Sequence, residues 1–244
     1  MGIFRFKQFR IRQEKSAFKV GTDSILLGAW ANPTSAQQAL DIGTGTGILA
    51  LMLAQKTVDR KTMITGIDRD EESALEAAGN AKDSPWSDCI TILHRSFLEF
   101  ITGNESRFDF IISNPPYFTT TTLSEDARTA NARNTQSLLF SDLANGVSIL
   151  LKDQGRFCTV LPVQEALDFI KIAQKKGLQL IRRCKVHSMP TETREVRHLL
   201  EFEKGDETGI AMEETSLTIE TGTRHHYTDE FKRLTGEFYL EFKN

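Results

Sequence analysis

The stretch ALDIGTGTG, residues 39–47, followed by an apolar helical pattern at residues 48–56, constrains this chain more than any other segment. A short apolar run that ends in glycine reads as a buried strand, and apolar residues at helical spacing straight after it read as a helix. The alternation then repeats. Residues 63–67 predict a second strand, residues 71–82 an amphipathic helix rich in Ala and Glu, and residues 90–93 a third strand. Residues 108–113 (FDFIIS) lack strong polar alternation, so both faces of this fourth strand are covered. A helix at 142–151 follows, then a fifth strand at 156–161 that Pro162 ends, and a helix at 165–176 closed by Gly177. Residues 178–186 and 196–202 predict two more strands, and a further strand at 217–220 precedes a helix beginning at Asp229. Strands alternating with helices mean an α/β chain with a doubly wound, seven-stranded, mostly parallel sheet. Residues 1–38 then form an N-terminal extension, and residues 39–244 the main domain. Such sheets bind ligands at the carboxyl ends of their strands, so chemistry is to be sought at the strand-to-helix turns.

Composition narrows the function classes. A chain of 244 residues buries enough surface to fold without a disulfide or metal. Cys89, Cys158 and Cys184 are scattered, with no CxxC or Cys/His cluster, so neither a disulfide framework nor a metal site is expected. The adjacent His225 and His226 diverge in any regular element and are expected in a loop. The first twenty residues are polar and basic, no leader is expected, and no run approaches the roughly 18 apolar residues of a membrane span. A cytoplasmic location without membrane association, and no obligate protein partner, are the expectations. The net charge of −3 argues against indiscriminate nucleic-acid binding. Its distribution argues otherwise at the start, where Arg5, Lys7, Arg10, Arg12, Lys15 and Lys19 face only Glu14.

The turn Asp41-Ile-Gly43-Thr-Gly45-Thr-Gly47 has glycines where a backbone must approach a ligand or take positive φ, with a helix N-terminus behind it. A nucleotide-type ligand is the natural reading, and GTGILA (residues 45–50) also fits the loose dinucleotide fingerprint. Asp68 ends the second strand about twenty residues on, where a carboxylate accepts from a ribose diol. Both NAD and S-adenosylmethionine carry such a diol. Asp41 separates them: a carboxylate beside the turn repels a pyrophosphate and favours a sulfonium and an ammonium. With DxGxGxG in place, the chain resembles the Rossmann-like class I methyltransferases. The resemblance implies S-adenosylmethionine as cofactor, with Asp41, Gly43, Gly45 and Gly47 around its methionine part and Asp68, with Arg69 beside it, on its ribose. Many members carry an Asp where Ser96 stands. Here the Ser96 hydroxyl would take the adenine amine and Phe97 would flank the ring.

The fourth strand ends in Asn114-Pro115-Pro116-Tyr117. A Pro-Pro pair after a strand is a rigid turn, which explains the prolines but not the Asn or the Tyr. After strand four of a DxGxGxG chain the tetrapeptide resembles the NPPY motif of amino-methyltransferases. The chemistry accounts for the residue types. An exocyclic amine is a poor nucleophile because its lone pair is delocalised. The Asn114 side-chain carbonyl and the Pro115 backbone carbonyl supply two acceptors for the two amine hydrogens, favouring a pyramidal nitrogen. The resemblance also implies Asn114 beside the cofactor. Tyr117 supplies a flat face for a base, where stacking contributes roughly 1–3 kcal/mol.

Adenine N6, guanine N2 and a glutamine amide all suit this chemistry. Only 38 residues precede the first strand, too few for the helical domain of the glutamine enzymes, and little chain is left for a DNA-recognition domain. A compact enzyme suits a base exposed in an RNA loop. FRFKQF (residues 4–9), FKVGTDSILLGAW (residues 18–30) and FYLEF (residues 238–242) extend the resemblance, over nearly the whole chain, to the bacterial tRNA adenine-N6 methyltransferases that act on the adenosine 3′ of the anticodon of a valine tRNA. That family implies Lys19, Gly21, Thr22 and Asp23 at the cofactor site and tRNA as the partner. Phe4, Phe6, Phe9 and Phe18, interleaved with basic residues, either stack RNA bases or form a half-buried strand. Arg128 and Arg133, after NPPY, are placed to meet the substrate, whereas Arg182, Arg183, Lys185, Arg194 and Arg197 form an RNA face or ordinary surface charge. An rRNA guanine or protein glutamine methyltransferase, a nicotinamide dehydrogenase, and an idle nucleotide- or RNA-binding module are the competing readings.

Overall fold

The computed structural model describes residues 2–103, 106–116, 140–190, 194–205 and 211–242. The chain opens with a hairpin of β1 (Ile3–Arg5) and β2 (Arg10–Arg12), then helix α1 (Thr22–Trp30). The alternation follows: β3 (Gln38–Ile42), α2 (Ile48–Lys56), β4 (Met63–Asp68), α3 (Glu71–Lys82), β5 (Ile90–His94), α4 (Phe97–Thr102) and β6 (Phe108–Ser113). The C-terminal half runs α5 (Phe140–Leu150), β7 (Leu151–Leu161), α6 (Val163–Gln174), β8 (Leu178–His187), β9 (Glu195–Lys204), β10 (Glu213–Thr218) and α7 (Asp229–Thr235).

The main sheet has eight strands in the order β10-β8-β9-β7-β6-β3-β4-β5. Seven were expected in it. The eighth, β10, extends the edge parallel to β8, with Glu214 opposite Arg183 and Leu217 opposite Val186. Only β9 runs against its neighbours among these strands. The chain order reverses between β3 and β6, where Ile42 pairs with Ser113. The Ser113 hydroxyl donates to the Ile42 carbonyl at 2.9 Å and fixes the two strand ends side by side. That switch point opens the crevice in which a doubly wound sheet binds its ligand.

Both faces of the sheet are covered, which explains the apolar strands. On β6, Phe110 and Ile112 join one core cluster, with α1, α2 and the hairpin, while Ile111 joins the other, with α4, α5 and α6. The N-terminal aromatics belong to the first. Phe6 and Phe9 are buried and stacked at 4.5 Å between centroids, and Phe6 bridges to Tyr239. These two rings are therefore core and not an RNA-stacking surface. The C-terminal segment clasps the hairpin: the Lys7 amide donates to the Phe238 carbonyl and its ammonium to the Gly236 carbonyl.

Helix α1 was not foreseen as a helix. Its apolar residues, Ile25 to Trp30, are buried all round, so no amphipathic stripe marks it. Lys56, at the end of α2, caps it by donating to the carbonyls of Gly28, Ala29 and Ala31 at 3.4, 2.6 and 2.5 Å. Arg182 lies 3.8 Å over the Trp30 ring and donates to the Trp30 carbonyl. Burial lowers the Lys56 ammonium from its usual range.

Candidate active site

The turn after β3 is built from hydrogen bonds within the chain. Gly43, Gly45 and Gly47 have φ of +70°, +56° and +82°, which glycine alone adopts readily. The amides of Gly43 and Thr44 both donate to the Ile67 carbonyl at 2.9 Å, and the Gly45 amide donates to Asp68 Oδ2 at 2.8 Å. The other Asp68 oxygen accepts from the Asp70 amide at 2.9 Å. Burial raises the Asp68 carboxyl, and these two amides oppose the shift.

Asp41 is set back from the cavity. It is fully buried behind the turn, absent from the cavity wall. Its Oδ2 accepts from the Thr44 hydroxyl at 2.6 Å and the Ala50 amide at 3.2 Å, while Oδ1 has no partner. Burial pushes its carboxyl up to about 7, against those two hydrogen bonds. Asp41 thus ties the turn to the first residues of α2. Gly47 is likewise off the wall. A Cβ there would lie 3.3 Å from the Ala77 Cβ, so this glycine lets α2 approach α3.

A cavity of about 760 Å3 opens at the carboxyl ends of β3, β4, β5 and β6. Gly43, Gly45, Asp68 and Arg69 form one wall, Ser96 and Phe97 another, and Asn114 and Pro115 a third. Residues 17–19 and 21–24 close it from the N-terminal side, bringing Lys19, Gly21, Thr22 and Asp23 to the same space. That segment is stitched to α3: Glu76 accepts from the amides of Glu14, Lys15 and Ser16, and the Ala17 amide donates to the Ser73 hydroxyl. Phe18, 37% exposed, lines the cavity instead of joining the core. The Ser96 hydroxyl caps α4, donating to Glu99 Oε2 at 2.7 Å and accepting from the Glu99 amide. Ser96 therefore serves a capping box while lining the cavity.

The residues fit S-adenosylmethionine and do not fit a dinucleotide. The cavity falls within the roughly 300–1,000 Å3 of cofactor sites. A pyrophosphate needs unengaged turn amides, and those of Gly43, Thr44 and Gly45 are committed, the last to a carboxylate that would repel it. At Gly43 a Cβ would meet nothing within 4 Å, so the backbone faces open space.

Asn114 sits at the switch point. Its Nδ2 donates to the Ser24 hydroxyl of α1 at 2.9 Å. Asp23 accepts from the Arg197 guanidinium at 2.8 Å, tying α1 to β9. Ser24, Asp142 and Arg197 also line the cavity; the sequence pattern marked neither Ser24 nor Asp142, and read Arg197 as an RNA face or ordinary surface charge. The basic residues Arg182, Arg183 and Lys185 of β8 are paired: Arg182 with Glu201, and Arg183 and Lys185 with Glu214. Tyr117, Arg128 and Arg133 lie outside the described residues. No helix among the described residues is long and apolar enough to cross a membrane.

Residues 15–147 match the methyltransferase small domain family. The tRNA1(Val) (adenine(37)-N6)-methyltransferase of Proteus mirabilis is 39% identical over 99% of this chain and 95% of its own length. The chain belongs to this methyltransferase family. A relative of the same name from Bacteroides thetaiotaomicron is also 39% identical, over 99% of this chain and 98% of its own. Among solved structures, a predicted O-methyltransferase from Agrobacterium tumefaciens superposes with a TM-score of 0.67 at 19% identity, covering 88% of this chain and 96% of that one. A 16S rRNA methyltransferase of T. thermophilus, in complex with AdoMet and guanosine, superposes with a TM-score of 0.55 at 22% identity, covering 83% of this chain and 50% of that one. These likenesses establish the class I methyltransferase fold.

Proposed function

We propose that this protein transfers a methyl group from S-adenosylmethionine to the exocyclic amine of an adenosine in tRNA, in the anticodon loop of a valine tRNA. The observation that carries the reading is one cavity joining the glycine turn and Asp68 to Asn114 and Pro115, in a family whose members are named for that reaction. S-adenosylmethionine, when bound, supplies the electrophilic methyl. In this reading Asp68 accepts from the ribose diol, the backbone at Gly43 and Gly45 approaches the methionine part, and Phe97 and Leu98 border the adenine. Lys19 and Thr22 close the N-terminal side.

Asn114 Oδ1 and the Pro115 carbonyl hold the two hydrogens of the target amine, drawing its lone pair out of conjugation. The amine nitrogen gains the methyl and gives up one proton. Tyr117 stacks on the base, and Arg128 and Arg133 hold flanking phosphates, roles drawn from the sequence pattern.

The test is transfer of labelled methyl to separate pools of tRNA, rRNA and protein from cells lacking this enzyme. Label recovered from tRNA as N6-methyladenosine is the expected result. Label in rRNA or protein alone would overturn the substrate while leaving the amine chemistry intact.

A further inference from the structure

Asn114 is positioned twice. Its backbone follows β6, whose end is pinned to β3 by the Ser113–Ile42 hydrogen bond. Its side chain is held from a different direction, by a residue 90 positions earlier in the chain. The Ser24 hydroxyl accepts from Asn114 Nδ2 at 2.9 Å. A carboxamide has a donor end and an acceptor end that diverge from one carbon, and the amine chemistry can use only the acceptor. An amide rotated by half a turn would present N–H groups to an amine that itself offers hydrogens, and no bond would form. Occupying the nitrogen end therefore selects the productive orientation.

Helix α1 is braced for such a task. Ser24 stands in its first turn, beside Asp23, whose carboxylate is tied to Arg197 of β9 at 2.8 Å. Its last turn is held by Lys56 and Arg182 through the carbonyls of Ala29, Trp30 and Ala31. The residues between, Ile25 to Trp30, are buried. The Ser24 hydroxyl is thus mounted on an element fixed at both ends. We infer that Ser24 is a positioning residue for the methyl transfer: it orients the Asn114 carboxamide with its oxygen toward the target amine.

The inference rests on the proposed methyl transfer, so its test pairs a kinetic readout with one independent of turnover. The full chain and its Ser24→Ala and Ser24→Thr variants are compared in three ways: methyl transfer to tRNA, S-adenosylmethionine affinity by calorimetry, and the nitrogen-15 NMR signal of the Asn114 side-chain amide, assigned by its loss in Asn114→Ala. Loss of one orienting hydrogen bond should lower kcat of Ser24→Ala about tenfold. Cofactor Kd should stay within about twofold, since the interaction lost is not made to the cofactor. Ser24→Thr, which keeps the hydroxyl, should recover most of the rate. The Asn114 amide signal should move in Ser24→Ala and stay near its wild-type position in Ser24→Thr.

A Ser24→Ala enzyme with wild-type kcat would overturn the inference. So would a loss of rate matched by an equal loss of cofactor affinity, which would make Ser24 part of the cofactor wall. If wild type methylates no tRNA, the proposed function fails by itself, and the amide signal decides the positioning: unmoved in Ser24→Ala, it overturns the inference, and moved, it supports it.

Discussion

The buried carboxyl behind the glycine turn should make the stability of this protein depend on pH in an unusual direction. Asp41 is pushed up to about 7 by burial, from an unfolded value of 3.8. A group whose folded value is raised is stabilised fully below its unfolded value and loses that stability as pH rises through the folded one. At about 1.4 kcal/mol per unit, the raised value corresponds to about 4 kcal/mol lost between pH 4 and pH 8, roughly 2.5 of it above pH 5. Asp41→Asn removes the titration while keeping an oxygen for the Thr44 hydroxyl and the Ala50 amide. Its amide nitrogen would take the place of Oδ1, which has no partner, at a cost of about 1–3 kcal/mol. The expectation is a crossing. Near pH 5 the variant should equal or fall below wild type, and near pH 8 it should exceed it by about 1–3 kcal/mol, or several degrees in Tm for a chain of this size. Denaturant melts of both proteins across this range measure the difference directly. Parallel curves, with a constant gap from pH 5 to pH 8, would refute a raised carboxyl at Asp41.

Asn114→Ala should reduce kcat by about a hundredfold or more while changing S-adenosylmethionine affinity only a few-fold, because the lost acceptor serves the target amine; steady-state rates with calorimetry check both numbers. Asp68→Ala should do the reverse. Loss of two acceptor oxygens should weaken cofactor binding by about tenfold to a hundredfold, with a smaller effect on saturated turnover. Lys56→Met should leave the carbonyls at the end of α1 without their ammonium, lowering stability by about 2 kcal/mol and Tm by roughly 4–8 °C in a thermal melt.

Much of this architecture could be read from local pattern. The strands and helices from β3 to β6 announced themselves because each alternates sharply with its neighbour, and helix bounds such as Ile48–Lys56 and Glu71–Lys82 follow from spacing and charge. The cavity's glycines, Asp68 and Asn114 were legible for the same reason: strand-to-helix turns bear the ligand chemistry, and the turns were identifiable. What escaped depended on contacts distant in sequence. Helix α1 buries its whole apolar run, so periodicity gave no sign of it, and Ser24 reaches Asn114 only because that helix crosses the switch point. Asp41 and Ser96 sit at motif positions, yet Asp41 Oδ2 and the Ser96 hydroxyl bond to the chain's own backbone and side chains, a choice that spacing alone does not encode. The aromatic N-terminus posed a question of face, settled by the partner that covers Phe6, the Tyr239 end of the chain. The pattern of β10 was weak because this edge strand exposes most of its side chains.

The glycine turn has its amides of Gly43, Thr44 and Gly45 engaged by Ile67 and Asp68 as part of the fold itself. The entropy of ordering this backbone is therefore spent during folding and not at each encounter with a ligand. Association at this wall should proceed as docking onto a finished surface, with little backbone rearrangement to slow it. Turnover requires the spent cofactor to leave as readily as the fresh one arrives. A surface whose backbone is already ordered by the fold suits an enzyme that must exchange one near-identical molecule for another in every cycle.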